Sequence, residues 1–362
     1  MCIVEDIPLW LRTIYRLFGI IQFSCTQTSP FLSFFYRLHC VPVFLLYGYS
    51  CFSWLSFLLN IFDRKSVKID TTVSFVGVLT TTTSMLILVY RSNNLRSLLL
   101  KLDEIKRHSC VVTQKAKRDW FKISMWIITM LHLAFIPTLR QWLISSVYYY
   151  MPPTIGFCDH LFLDKILECV RSEFVVINQQ VLRLRTRIRA NPHVKNKETQ
   201  SMYHLVEELT LRHCDLVTLV LDINKLFDLI TLSSMLTWFA YFVDVIYVFV
   251  DVLRRVTVRA DLVMFVGINL AFMILWLLIM VRGYSRTQQE ANKTVGFVHD
   301  LWNHLCKNKR VDRRVHHLEL VSVRLLNNKL YFSARQFFSL DESFCHLMIA
   351  TVVTYLVILF QF

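Results

Sequence analysis

The 362-residue chain is 55% apolar and 14% aromatic, with only seven glycines. A soluble domain sits at roughly 45–50% apolar, and the excess here lies in runs longer than the about 20 residues that cross a bilayer core, which excludes a soluble globular protein. The net charge of +14 does not point to nucleic acid, because no basic block occupies a separable soluble domain. It fits cytoplasmic loops held by the positive-inside bias and by anionic lipid.

The opening segment, residues 1–35, carries Glu5 and Asp6 where a signal peptide is basic, so it is expected to be retained on the cytoplasmic side. Seven spans follow by hydropathy. They cover about 36–62, 70–90, 121–150, 156–182, 215–250, 261–281 and 342–362. The third ends in Tyr148, Tyr149 and Tyr150, which suit an interface belt, and Pro152 and Pro153 then suit a tight turn. The fourth is the least apolar, with Asp164, Lys165, Glu168, Arg171 and Glu173 inside it.

Charge counting supports that fourth span. Lys and Arg number 28 in the N-terminal tail and the connections 91–118, 183–212 and 282–335, against 6 in the connections 63–69, 151–155 and 251–260. The rich connections belong on one side, which requires two crossings between residues 120 and 183. The fold class expected is therefore an all-α membrane protein with seven transmembrane helices, its N-terminus cytoplasmic and its C-terminus extracellular. A G-protein-coupled receptor has the opposite orientation. The ten cysteines form no CxxC pair, and only Cys158 lies near an outer loop, so no extracellular disulfide framework is expected.

The cytoplasmic segment 283–341 reads as helical anchor. Val295, Val298, Leu301, Trp302 and Leu305 recur at helical spacing in 287–305, as do Val315, Leu318, Val321 and Leu325 in 314–330. Residues 36–282 form the bundle of six spans with cytoplasmic extensions, and 342–362 the seventh helix. Ser339-Leu340-Asp341-Glu342 has the form of a capping box in front of that helix.

The seventh helix closes on Thr354-Tyr355-Leu356-Val357-Ile358-Leu359-Phe360-Gln361-Phe362. This TY, five apolar residues, then QF resembles the signature that ends insect gustatory receptors. Phe338-Ser339-Leu340-Asp341 is similar to that family's approach to the helix, and Glu290-Ala291-Asn292-Lys293-Thr294 to one of its cytoplasmic motifs. The family often has Gly before the Phe-x-Leu-Asp run, where this chain has Arg335-Gln336-Phe337. Sugar-receptor members tend to carry Glu after the TY, where this chain has Leu356, which favours a bitter-type or unassigned tastant.

The resemblance implies a multi-pass receptor in the plasma membrane of sensory neurons. It implies a homo- or hetero-tetramer of related subunits around one non-selective cation pore lined by the seventh helices, opened by a small-molecule tastant. An odorant-receptor-type subunit needing a co-receptor is the nearest alternative.

On the seventh helix Leu347, Thr351, Thr354, Ile358 and Gln361 fall on one stripe. A pore needs a face that tolerates water, so Gln361, Thr354, Ile358 and Thr351 are pore candidates. Phe362 or Ile358 would suit an apolar constriction. Hydrogen bonding of these polar groups to neighbouring helices is the competing reading. Tyr355 lies off the stripe and is expected to brace the helix.

In the outer half of the bundle, Trp142, Arg140, His160, Trp238, Tyr241, Asp244, Tyr247 and Asn269 combine flat apolar surface with a few polar groups, the make-up of a ligand pocket. Asp164, Glu168 and Arg171 lie three to four apart, which admits either a Glu168–Arg171 ion pair in a packed bundle or a wet cavity. No P-loop, GxSxG or HExxH motif occurs, and the spacing of His299, His304 and Cys306 matches no standard metal site. Neither catalysis, a metal nor a cofactor is expected.

Overall fold

The computed structural model describes residues 69–108, 151–190, 196–254, 260–307 and 313–361, together with 12, 45, 48 and 49. The expected first and third spans, with Arg140 and Trp142, lie outside the described residues, as does Phe362. What is described is almost wholly helical. It comprises α1 (Ile69–Tyr90), α2 (Ser92–His108), α3 (Met151–Ala190), α4 (Asn196–Arg254), α5 (Ala260–Lys307), α6 (Arg313–Asn327) and α7 (Glu342–Gln361). A two-stranded antiparallel ribbon, β1 (Ser333–Ala334) with β2 (Phe338–Ser339), precedes α7.

The least apolar of the expected spans is the most enclosed. Every side chain from Pro152 to Asp164 of α3 is buried, packed between α4 and α5. Polar residues survive at this depth because they face protein rather than lipid. Pro152 and Pro153 are not a turn but the first turn of α3, where proline's missing N–H costs nothing. Glu168 pairs with Lys165 at 2.9 Å, where the sequence spacing equally offered Arg171.

α4 has 59 residues and α5 has 48, far more than a bilayer needs. Apolar windows able to cross a membrane lie within His204–Val250 and Val266–Asn303. The expected cytoplasmic helix 287–305 is thus no separate element but the continuation of α5. Likewise, much of the basic connection 183–212 is helix belonging to α3 and α4.

α1 holds four successive threonines, Thr80 to Thr83. Each hydroxyl bonds back to the carbonyl four residues earlier, which satisfies it inside the helix. Thr80 also meets Thr237, and Ser84 meets Ser233 at 2.8 Å, so small hydroxyls join α1 to α4. α1 and α2 meet at Arg91 with a bend of 63°. The Arg91 guanidinium donates to the carbonyls of Lys225 and Leu226 on α4.

The motif Glu290–Thr294 is the junction of the cytoplasmic half. Asn178 of α3 donates to the Glu290 carbonyl at 2.9 Å and accepts from Thr294 Oγ1 at 2.6 Å. His213 of α4 bonds the Ala291 carbonyl through Nε2 at 3.0 Å. Asn292 takes both backbone groups of Leu330, donating to its carbonyl at 3.1 Å and accepting its N–H at 3.0 Å. One turn of α5 therefore fixes α3, α4 and the segment that leads to α7.

That segment is a plug. Leu330, Phe332, Ala334 and Leu340 are all buried, and the Phe332 ring meets Tyr284 edge-on at 5.0 Å. Its turn carries two non-glycine residues with positive φ, Arg335 at 48° and Gln336 at 62°, closed by Phe337 N–H donating to the Ala334 carbonyl. This is the backbone of a primed hairpin turn, which ordinarily selects Gly or Asn.

The helix cap differs from the sequence reading. α7 begins at Glu342 with Asp341 as its N-cap, and the Ser343 N–H donates to Asp341 Oδ1 at 3.0 Å. The Ser343 hydroxyl, donating to the same oxygen, holds the Asp341 carboxyl below the ordinary aspartate range.

Two substitutions separate these devices. Asn292→Ala removes both bonds to Leu330 and should lower stability by about 2 kcal/mol. Gln336→Gly relieves a left-handed side chain and should raise it by about 1 kcal/mol. Thermal melting of the detergent-purified protein checks both, with opposite signs expected.

Candidate ligand pocket and pore helix

Four helices converge in the expected outer half. Gly77 of α1 takes the Tyr241 ring against its backbone, and a Cβ there would stand 2.6 Å from the Tyr241 hydroxyl. Gly156 of α3 is close-packed to a lesser degree, its Cβ position 3.2 Å from the Trp276 ring and 3.5 Å from Ser234 Oγ. Trp238 of α4 donates through Nε1 to the Met273 carbonyl of α5 at 2.8 Å and stacks on Phe242. α1, α3, α4 and α5 therefore meet at one level.

Of the pocket residues expected from sequence, Trp238, Tyr241, Asp244, Asn269 and His160 are buried at or near this level, and Tyr247 is half-buried farther along α4. The structure adds residues that sequence reasoning missed. Phe157, Phe272 and Trp276 form a box with ring centroids 5.3 to 6.4 Å apart. His160 stands beside it, 6.1 Å from the Trp276 ring, with no partner for Nε2 among the described residues. Asp159 is 2% exposed, and among the described residues neither of its carboxylate oxygens has a hydrogen-bond partner. Isolated aromatics in an apolar run carry no sequence signal. Asp159 did, as a carboxylate within an expected span.

α7 leans on α4 and α5 by one narrow stripe. Phe344 and Val352 are buried, Cys345 and Met348 half-buried, and Tyr355 meets Phe239 of α4 edge-on at 5.4 Å. The flank beside that stripe is bare, with Leu347, Thr354 and Ile358 exposed and Thr351 half-buried. Thr351 and Thr354 bond back to the Leu347 and Ala350 carbonyls, so their hydroxyls need no neighbouring helix. Gln361 lies in the last turn.

The base of α7 is tied in three ways. Ser285 of α5 donates to Glu342 at 3.3 Å. Phe338 stacks on Phe344 at 4.5 Å. Arg335 reaches Asp228 of α4 at 3.5 Å, a carboxylate that Arg91 also approaches at 3.8 Å.

Gly77→Val should press directly on Tyr241. A loss of about 1–3 kcal/mol is expected from overpacking, whereas Gly267→Ala, with nothing within 4 Å of its Cβ position, should be neutral or stabilising. Melting temperatures of the two variants decide it.

Known proteins place this architecture. The chain resembles the insect olfactory receptor OR5 of Machilis hrabei with a TM-score of 0.68 at 10% identity, over 97% of each chain. The same receptor in complex with eugenol matches at 0.65 and 11% identity, again over 97% of each. No curated protein matches the chain in sequence. The family model of the seven-transmembrane chemosensory receptors matches residues 11–362, and the chain belongs to that family of multi-pass membrane receptors.

Proposed function

We propose that this chain is a gustatory-type subunit of a tetrameric, ligand-gated, non-selective cation channel in the plasma membrane of sensory neurons. The tetramer is built from copies of this chain or from related subunits. Residues 36–282 form the ligand-binding bundle, 283–341 the cytoplasmic anchor, and 342–362 the pore helix. The opener is a small tastant of the bitter or an unassigned class, and cations cross the bilayer along α7.

One observation carries this reading. α7 packs against its own chain by a single stripe and leaves Thr354 and Ile358 uncovered, and Thr351 partly so, beside apolar residues such as Val353 and Val357. Sister helices and lipid suit the apolar part of that surface, and the threonine stripe suits water. Charge counting supports a pore that opens outward at the C-terminal end of α7. The eugenol complex of the Machilis receptor supports a small molecule as the opener. The fold likeness to an olfactory receptor favours an odorant-type subunit as the second reading, against which the terminal TY…QF stands.

The test is current recorded from cells expressing this chain alone during ligand screening. Once a ligand opens it, Thr354→Cys should make the current sensitive to a charged thiol reagent applied outside, falling at least several-fold, while Val352→Cys should not. Equal insensitivity of both would sink the pore assignment. An extracellular tag on residue 362 that stays inaccessible on intact cells would reverse the orientation. Currents seen only with a co-expressed partner would favour the odorant-type reading.

A further inference from the structure

Asp159, His160 and Gly156 share one face of α3, at spacings of three and four. Gly156 sets that face directly against Trp276 and Ser234. Three polar groups on this face and on the ring it meets are buried and have no hydrogen-bond partner among the described residues: the Asp159 carboxylate at both oxygens, His160 Nε2 and Trp276 Nε1. Asp159 is 2% exposed, His160 3% and Trp276 0%. Among the described residues no Lys or Arg forms an ion pair with Asp159. Polar atoms at such depth are satisfied as a rule, and a carboxylate is the most costly of them to leave alone.

The chemistry around Asp159 selects its complement. A small inorganic cation needs several oxygen ligands, and one carboxylate among rings does not supply them. Trp276, against which this face of α3 rests, and Phe272 beside it offer aromatic surface, which attracts an organic ammonium and covers its apolar body. Trp276 Nε1 only donates, so it suits an acceptor atom on the same ligand.

We infer that this receptor recognises an organic ammonium ion, its charge met by Asp159 and its apolar body held by Phe272 and Trp276. The inference rests on the proposed pocket and names the ligand class for it. Admission requires the box to part, because its polar atoms are sealed from solvent. Ligand binding and movement of α3 against α5 are therefore one event.

The test uses two probes of the same shape, benzyltrimethylammonium and its neutral carbon analogue neopentylbenzene. Binding is read as the concentration-dependent rise in melting temperature of the full-length receptor in lipid nanodiscs. The wild type should prefer the cation by about tenfold or more. Asp159→Asn should erase the preference while leaving the neutral probe's affinity within about twofold, and Asp159→Glu should retain it. Trp276→Phe should weaken both probes. A wild type without preference overturns the inference, as does a preference that survives Asp159→Asn. A quaternary ammonium has no proton to give, so simple protonation of Asp159 produces no such pattern. Because binding is read without current, cation preference in a protein that conducts nothing would defeat the channel proposal and leave this one standing.

Discussion

The bonds of Asn178 to α5 set the frame on which the rest of the structure hangs. A buried side-chain amide is costly unless both its ends are satisfied, and here the carbonyl of Glu290 and the hydroxyl of Thr294 satisfy them. This fixes the rotation and register of α3 on α5, and the consequences run both ways along the pair. On the outer side, Gly156 comes to rest on Trp276. On the inner side, the next residues of α5 hold His213 of α4 and the backbone of Leu330. The candidate pocket and the base of the candidate pore helix are thus referred to the same five-residue motif.

In hydrocarbon, burying apolar surface gives helices little reason to prefer one another over lipid, so polar contacts and close packing carry the specificity. The bundle follows this rule from α1 to α7. Thr80 and Ser84 join α1 to Thr237 and Ser233 of α4, and Thr231 of α4 meets the Tyr284 hydroxyl of α5. The adjacent Ser285 then reaches Glu342 at the start of α7. Each bond is weak alone, worth about 0.6 kcal/mol in such bundles. Together they join the helix that presses on Tyr241 to the helix that leaves its threonines bare.

Much of this was legible in the sequence, and the failures have causes. Hydropathy marks where a helix crosses lipid, not where it ends, so the apolar parts of α4 and α5 were found, while the helical stretch 287–305 was read as separate from the span it continues. α3 was the weakest span by hydropathy and needed charge parity to support it, because acids such as Asp164 and Glu173, which are buried against protein, lower its hydropathy. The ribbon at 333–339 was invisible, since two-residue strands have no alternation and Arg335-Gln336 lacks the glycine that signals such a turn. The capping motif was recognised but its cap was placed at Ser339, although Asp341 is the one that reaches the Ser343 N–H. His160 drew attention as a polar residue in an apolar run, whereas the aromatic box beside it is made by the crossing of α3 with α5, which no local pattern encodes.

The departure at Arg335 has a physical counterpart. In a turn that ordinarily selects Gly or Asn, Arg335 and Gln336 hold a left-handed backbone with long side chains, at a cost of about 1–2 kcal/mol per residue. The Arg335 guanidinium reaches Asp228, which glycine could not do, and Arg91 at the α1–α2 bend approaches the same carboxylate. At 3.5 and 3.8 Å, and partly exposed, each pair contributes less than about 1 kcal/mol. Neither contact alone offsets the strain of the turn. Their effect lies in sharing: one carboxylate cannot close on both guanidiniums without drawing the bend below α1 toward the turn before α7. Asn224, one turn away on α4, donates to the Ser333 carbonyl and keeps the ribbon beside that carboxylate. The bend at Arg91 and the strained turn before α7 are thus referred to one carboxylate of α4.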